Sequence, residues 1–548
     1  MSRISDLNIP ADGSDVHDAV QAFVSSCAGD VCEFDTIGTY MTGRINVPSG
    51  TCVVMNPGVS FRKRHNAAGL FQIANVDGVR FHANGAQFYG DDFAGSTAFG
   101  HTIYFLGATD CKTFGLHVDS ASPGGGGKDG IYIGAGANDA PCRNVQLFDG
   151  KYLRGKRNNI SVVAGIDTLI DGFEAAHSTG APGCGIDVEA NKYEMVGRTV
   201  IRNGKAHSNQ NSGIVHVFGV GTTLDNVDLF SNGKYGFGVG SGGTQFAENV
   251  FRPNVDMIGV IGFDMATGAV LVAAQPPIGT PINFSRRNGA QIPPQFSASY
   301  YVVSRYIGTN GVILGRSVGN SEVTGLSLPG AGVMSADPYE SDIRLRAFVD
   351  GQSEGCEIRR SRIYGNGTQG LLVGGAGKFF GYDCDIYGNG SNQVQIQYTR
   401  DVELLDFQAR GENAGYAGIV ASGGGGYLRI RNSVSERTRG CGMSFAEWTG
   451  AELTDNKTID CAEFESGSIK AGLALSSMLA PKVVRHRATQ RADNTKTLFG
   501  IYADGMVKGG EFCGNDCTGA GTTSANALRV PAGSACSNNI GRDGTLVP

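Results

Sequence analysis

A degenerate unit, Asn or Gly followed by Gly-apolar-x-apolar, recurs along the chain at an interval of about 25 residues. The first run is GIYIG (130–134), NISVV (159–163), GIDVE (185–189), GIVHV (213–217) and GFGVG (236–240). The second is GLLVG (370–374), QVQIQ (393–397), GIVAS (418–422), GMSF (442–445), GLALS (472–476), GIYAD (500–504) and ALRV (527–530). A fixed period in this range marks a stacked architecture in which one unit cannot bury its apolar face alone and neighbours share a continuous core. The 84 glycines are about twice the usual ~7%, but they follow no three-residue period and prolines number only 17, so a collagen-like rod is excluded.

Between the units lies a second class of strand, such as CRNVQLFDG, DTLIDGFEA, CEIRRSRIYGN and DVELLDFQARGEN. Each alternates apolar and polar residues, as a strand with one buried face does, and most end in Asn or Gly, which tolerate the left-handed backbone of a tight corner. Two or three short strands per unit, repeated about twelve times, predict an all-β coil of parallel strands. A propeller would need a period of ~40–50 residues, and a sandwich would show hairpin turns without sustained self-similarity. At the start, residues 15–27 (DVHDAVQAFVSSC) predict an amphipathic helix that caps the coil, with Val16, Ala19, Val20 and Phe23 on its apolar side and Asp15 as N-cap. Most of the 13 cysteines sit singly inside strand patterns and are expected as reduced core thiols, with one bridge left open among Cys27, Cys32 and Cys52.

The opening DGSDVHDAVQAF, the following INVPSGTCVV and the GI-x-V-x units resemble the right-handed parallel β-helix proteins of the pectate-lyase-like superfamily over residues 10–254 and 331–548. That superfamily holds polysaccharide lyases, glycoside hydrolases, epimerases, esterases and phage tailspikes. Between 255 and 330 the texture changes to β-rich runs separated by two Pro-Pro pairs, which predicts a small inserted β-domain. Its phrase TPINFS…IPPQFSASYYVVSRY…GVILG is similar to small β-modules of phage tail and tailspike proteins. The expected organisation is a cap and first rungs (1–60), a first coil segment (61–254), the insert (255–330) and a second coil segment (331–548). The resemblance implies a polysaccharide partner, a virion-tail or extracellular setting and a homotrimer.

Net charge is −6 with acids and bases interspersed, which argues against a nucleic-acid partner. Apolar runs such as MIGVIGF fall far short of the ~18 residues that cross a bilayer, so no membrane insertion is expected, and the N-terminus shows no apolar signal-peptide core. Neither D-x-D-x-D-G nor HExxH occurs, so no metal or cofactor is expected.

For chemistry, CGIDVEANKYE is the richest segment. If Ile186 and Val188 face the core, Asp187 and Glu189 emerge together on the outer wall with Cα atoms ~6.5–7 Å apart. Glycoside hydrolysis needs two carboxylates about a scissile bond, one kept protonated, and proximity of like charges raises one pKa. The pair serves equally as solubilising surface charge. GIDVEAN also resembles the GID-x-E-P-N segment of bacterial and phage β-helix proteins, with Ala190 in place of proline. Asp129, behind the glycine run 124–127, is a third catalytic candidate or a turn residue. Register stacking puts Tyr132 and Ser161 on one side of Asp187 and Val215, His216 or Gly238 on the other. Tyr132, His216, Lys128, Lys192 and Tyr193 are expected to contact substrate. The basic group Lys128, Lys151, Arg154, Lys156 and Arg157 keeps a polysaccharide lyase acting on a uronate as an alternative, beside a non-enzymatic glycan-binding tail protein or adhesin.

Overall fold

The computed structural model describes residues 1–64, 67–90, 100–120, 129–190, 195–240, 255–276, 278, 280–286, 291–296, 301–315, 322–327, 334–336, 341, 343–348, 353–374, 377–397, 399–412, 416–423, 426–461, 470–490 and 497–547. The chain divides into two compact units. The first comprises Met1–Gly238 with Glu357–Thr368; the second comprises Val239–Cys356 with Gln369–Pro548.

The first unit is a stack of short parallel strands. One of its faces is built from β1 (Ile45–Asn46), β2 (Phe71–Ala74), β3 (Ile103–Leu106), β4 (Ile131–Gly134), β5 (Ile160–Val162), β6 (Ile186–Glu189) and the start of the long β7 (Ile214–Phe230). Ile131, Ile133, Ile160, Val162, Ile186, Val188 and Ile214 are all fully buried. Each such side chain stabilises the stack by roughly 1.5–3 kcal/mol. Three earlier rungs, those of β1 to β3, lack the Gly-Ile signature: Arg44, Leu70 and Thr102 stand where the glycine would be, ahead of inward Ile45, Phe71 and Ile103. The two units together hold about 16 turns, more than the twelve that the repeat alone predicts.

The corners behave as the Asn/Gly pattern predicts. Asn203, Asn226 and Arg360 in the first unit, and Asp383, Asp406, Asn432 and Asp455 in the second, take positive φ near 45–59°. Inside the first unit, buried Asn159, Asn209, Asn232 and Asn366 form a side-chain ladder, each amide nitrogen donating to the next carbonyl at 2.9–3.1 Å. Their polar groups are thereby satisfied without water.

Helix α1 (His17–Ser26) packs at the start of the first unit. Val20, Phe23 and Val24 are its buried residues and Val16 is buried just ahead of it, whereas Ala19 is exposed, so Val24 takes the place that the sequence suggests for Ala19. Val16, not Asp15, occupies the N-cap; the Asp15 carboxylate instead accepts the His17 N–H at 3.1 Å. None of the thirteen cysteines is bridged and nine are buried.

The second unit carries a closed antiparallel barrel and a further stack of parallel strands. The barrel strands are β8 (Val255–Asp264), β9 (Ala269–Val272), β10 (Pro281–Arg286), β11 (Tyr301–Ile307), β12 (Gly311–Gly315) and β13 (Ile343–Phe348), in the order β8-β9-β12-β11-β10-β13. Val260, Val270, Ile282, Val303, Leu314 and Leu345 fill it. Strand β13 lies beyond residue 330, where the change of texture placed the end of the insert. Its IRLRAF alternation reads like any one-faced strand of the coil, so composition does not mark it as barrel. No helix among the described residues is long and apolar enough to cross a membrane.

Candidate functional site

On the outer surface of β1–β7 the register aligns one residue per rung: Asn46, Gln72, Tyr104, Tyr132, Ser161, Asp187 and Val215. Tyr132 and Ser161 thus precede Asp187 and Val215 follows it, as the stacking argument predicts. A second row runs along the corner two residues ahead of each strand, where His101, Asp129, Asn158, Cys184 and Ser212 occupy equivalent positions. The two rows meet at Asp187.

Asp187 does not stand on an open wall. It keeps the outward parity of its strand, yet only 3% of it is exposed, while Glu189 two residues on is exposed. The corner carrying Asn158 covers it. Asn158 Nδ2 donates to Asp187 Oδ2 at 2.9 Å and to Ser161 Oγ at 3.0 Å, its Oδ1 accepts the Cys184 N–H at 3.0 Å, and its own N–H donates to Asp129 Oδ1 at 3.0 Å. The small Ser161 leaves room for this. Gly155 is needed for the same corner, because a Cβ there would lie 2.2 Å from the Asn158 carbonyl oxygen.

Burial, then the nearby charges of Glu189 and Asp129, push the Asp187 pKa up to about 8, against the opposing pull of Asn158 and Arg157. At neutral pH the group is mainly a carboxylic acid. Since Oδ2 accepts from Asn158, the proton resides on Oδ1, and Oδ1 is buried without a hydrogen-bond partner. A donor kept dry and unpaired is costly unless a ligand oxygen completes it.

Asp129 is wholly buried, with Oδ1 held by the Asn158 N–H and lying 4.0 Å from Arg157 Nε. Its Oδ2 and its backbone N–H each stand 3.1 Å from His101 Nδ1. A protonated Nδ1 pairs with the carboxylate; a bare Nδ1 accepts the N–H, leaving the proton on Nε2. The imidazole stacks on the Tyr132 ring at 4.2 Å and 8° and meets Tyr104 edge-on at 5.0 Å, while the His101 N–H donates to the Tyr104 hydroxyl at 2.7 Å. Burial raises the pKa of both tyrosines, so each stays a neutral phenol.

The structure therefore brings Asp129, Tyr132, Asp187 and Glu189 into one region of the first unit. His216 is excluded from substrate contact. It pairs in register with inward-facing Val188, is fully buried, and has both ring nitrogens occupied, Nδ1 with Thr222 Oγ1 at 2.7 Å and Nε2 with the Gly219 carbonyl at 3.2 Å. Burial lowers its pKa to about 4, so it is a neutral core histidine. Lys128, Lys192 and Tyr193 lie outside the described residues. His101, Tyr104 and Asn158 are participants that motif reading misses.

A family model for the right handed beta helix region matches residues 347–478. Among solved structures, the pre-mature gene product 12 of bacteriophage phi29 is 11% identical, with a TM-score of 0.53 over 94% of this chain and 62% of its own. Its N-terminal fragment gives 11% identity and a TM-score of 0.51 over 94% and 81%. The Dettilon tailspike protein gives 11% identity and a TM-score of 0.42 over 91% and 67%. No curated protein matches this chain by sequence. The chain is a right-handed parallel β-helix, and the likeness extends to fold alone.

Proposed function

We propose that the protein is a polysaccharide depolymerase, a glycoside hydrolase in which Asp187 is the proton donor and Glu189 the second carboxylate. The observation that carries this reading is the buried Asp187 with its Oδ1 unpaired, two residues from an exposed acid, a setting whose burial and neighbouring charges raise its pKa to about 8. Once the sugar displaces the corner that covers Asp187, protonation of the glycosidic oxygen by Oδ1–H assists C–O cleavage. Glu189 then either takes a proton from the attacking water or attacks the anomeric carbon itself. Asp129 does not face the sugar in this scheme. Through Asn158 it fixes the corner over Asp187, and its charge adds to burial and to Glu189 in raising the Asp187 pKa. Tyr132, half-buried and backed by the His101 ring, offers a flat face to a sugar ring beside the acid.

The test is incubation with a panel of bacterial capsular and extracellular glycans, with products weighed by mass spectrometry. Hydrolysis adds one water per cut, and both Asp187→Asn and Glu189→Gln abolish it. Unsaturated products absorbing in the ultraviolet would instead assign the lyase reading, in which Arg157, one-third exposed beside Asp129, neutralises a uronate. Intact glycan recovered from a tight complex would leave a binding protein. The same proposal includes a virion-tail or extracellular setting and a homotrimer, which sedimentation measures directly.

A further inference from the structure

The outward row that ends at Asp187 begins in a trough. Beside α1 an open cavity of about 420 Å³ is lined by Gln21, Ser25, Asn46, Gln72 and Asn75 over a floor that includes Val47 and Ala74. Asn46 and Gln72 are in register on β1 and β2, and the row continues without a break through Tyr104, Tyr132 and Ser161 to Asp187. At ~4.8 Å per strand, Gln72 lies ~19 Å and Asn46 ~24 Å from the acid along the stack.

Gln21 fixes this part of β1 by gripping the Asn46 backbone. Its Oε1 accepts the Asn46 N–H at 2.8 Å, and its Nε2 donates to the Asn46 carbonyl at 3.1 Å and to Ser25 Oγ at 3.0 Å. The Asn75 side-chain Oδ1 is likewise occupied, accepting the Ala137 N–H at 2.8 Å. By contrast, the side-chain amides of Asn46 and Gln72 have no hydrogen-bond partner among the described residues. Two stacked amides with unspent donors and acceptors, on rigid strands above an apolar floor, form a preorganised receptor for hydroxyl groups. None of the lining residues is charged, so nothing in the trough compensates an acidic or basic ligand.

From this we infer that the trough is a remote subsite for a neutral, hydroxyl-rich sugar unit of the same polymer that is cut at Asp187. The inference rests on the glycan reading above for the identity of the ligand. Remote subsites supply binding energy that holds a long chain in place over the reacting centre, and fragments too short to span ~19 Å gain nothing from them.

The test uses the full chain with Asp187→Asn, which binds but does not cut, in affinity electrophoresis against the same panel of polysaccharides. At least one polysaccharide is expected to retard it, and adding Asn46→Ala and Gln72→Ala is expected to weaken that retention about tenfold. In the cutting-competent protein, the same pair of substitutions lowers kcat/KM on polymer by a similar factor and leaves short fragments unchanged. Equal retention with and without the two amides, or no retention by any polysaccharide, overturns the subsite. Retention by Asp187→Asn that depends on the amides, coupled with no cutting by the unaltered protein, retires the hydrolase reading while the subsite stands. Asn46 is exposed and Gln72 half-buried, so both substitutions leave the core intact, which circular dichroism checks.

Discussion

The two units use the same rung, and the position two residues ahead of the strand shows how differently they use it. In the first unit that corner carries His101, Asp129, Asn158, Cys184 and Ser212, linked from His101 to Cys184 by contacts of 3.0–3.1 Å. In the second unit the equivalent residues are Gln369, Asn392, Ala417, Cys441, Ala471 and Phe499. There the amides satisfy one another, Gln369 and Asn392 both donating to Gln395 Oε1, and the row becomes apolar toward Ala471 and Phe499. Outward residues differ in the same sense: Tyr104, Tyr132, Ser161 and Asp187 against Gln395, Val420, Ser444 and Ala474. The inward rows are apolar in both, aliphatic with scattered Phe and Met, apart from the neutral His216 in the first. Interior positions make the fold, and the corner and outer rows make the chemistry.

The largest effect that sharpens this contrast is Asp187→Asn, expected to lower kcat by about 10²–10⁴-fold on the glycan that the protein cuts. The same substitution changes the pH dependence of stability. In the folded chain Asp187 holds its proton to about pH 8, whereas the unfolded chain releases it near 4, so the native state loses stability as pH rises through that window. Urea unfolding of the Asn variant lacks this decline. An identical slope in both proteins would show that Asp187 is not a buried acid.

Next are two buried histidines, one in each unit. His216 titrates near 4 and His486 near 3, each lowered chiefly by burial. A base with a depressed native pKa is protonated first in the unfolded chain, so stability is complete above about pH 6.5 and falls as pH drops towards those values. For His216 the loss approaches ~3 kcal/mol, at ~1.4 kcal/mol per pKa unit. Denaturant midpoints at acid and neutral pH should converge in His216→Gln and in His486→Gln separately; no convergence in one of them removes that residue from the core.

Asn158→Ala and Asn392→Ala form a matched pair. Both lose corner hydrogen bonds, and each is expected to cost ~1–3 kcal/mol in thermal unfolding. Only Asn158→Ala should touch catalysis. Its bond favours the ionised form of Asp187, so its loss moves the alkaline limb of the pH–rate profile upward. A profile shift in the Asn392 variant, or none in the Asn158 variant, breaks the distinction between the units.

Much of this was legible before any coordinates. Periodicity identifies the coil, because alternation of Ile186 and Val188 with Asp187 fixes which side chains face inward. It cannot say that Asp187 is covered, since cover comes from Asn158, 29 residues earlier in the chain. His216 misleads for a related reason. Strict alternation puts it inward with Val188, but the register shift that follows and the 17-residue strand it opens are invisible in GIVHV. His101 is readable only by aligning rungs at the strand start, where FGHTIYF, GKDGIYI and RNNISV stack His on Asp on Asn.

The smallest effect concerns the flanking strands, where both units carry cross-strand ion pairs. In the first, Asp167 meets Arg198 at 2.5 Å. In the second, Glu452 serves Arg431 at 2.6 Å, Arg429 at 3.4 Å and the Tyr427 hydroxyl at 3.2 Å. Burial opposes ionisation of Glu452, but these donors prevail and its pKa falls, so its contribution is present above the ordinary glutamate range and fades as pH drops through the lowered value. Exposed pairs contribute only ~0–1 kcal/mol because water and salt screen them, and a network outweighs an isolated pair. Glu452→Gln is therefore expected to lower the melting temperature more than Arg198→Ala, and both differences should shrink as salt rises from ~0.05 to ~0.5 M. Equal, salt-independent losses would mean that these side chains act by packing their aliphatic stems against the strands rather than by charge.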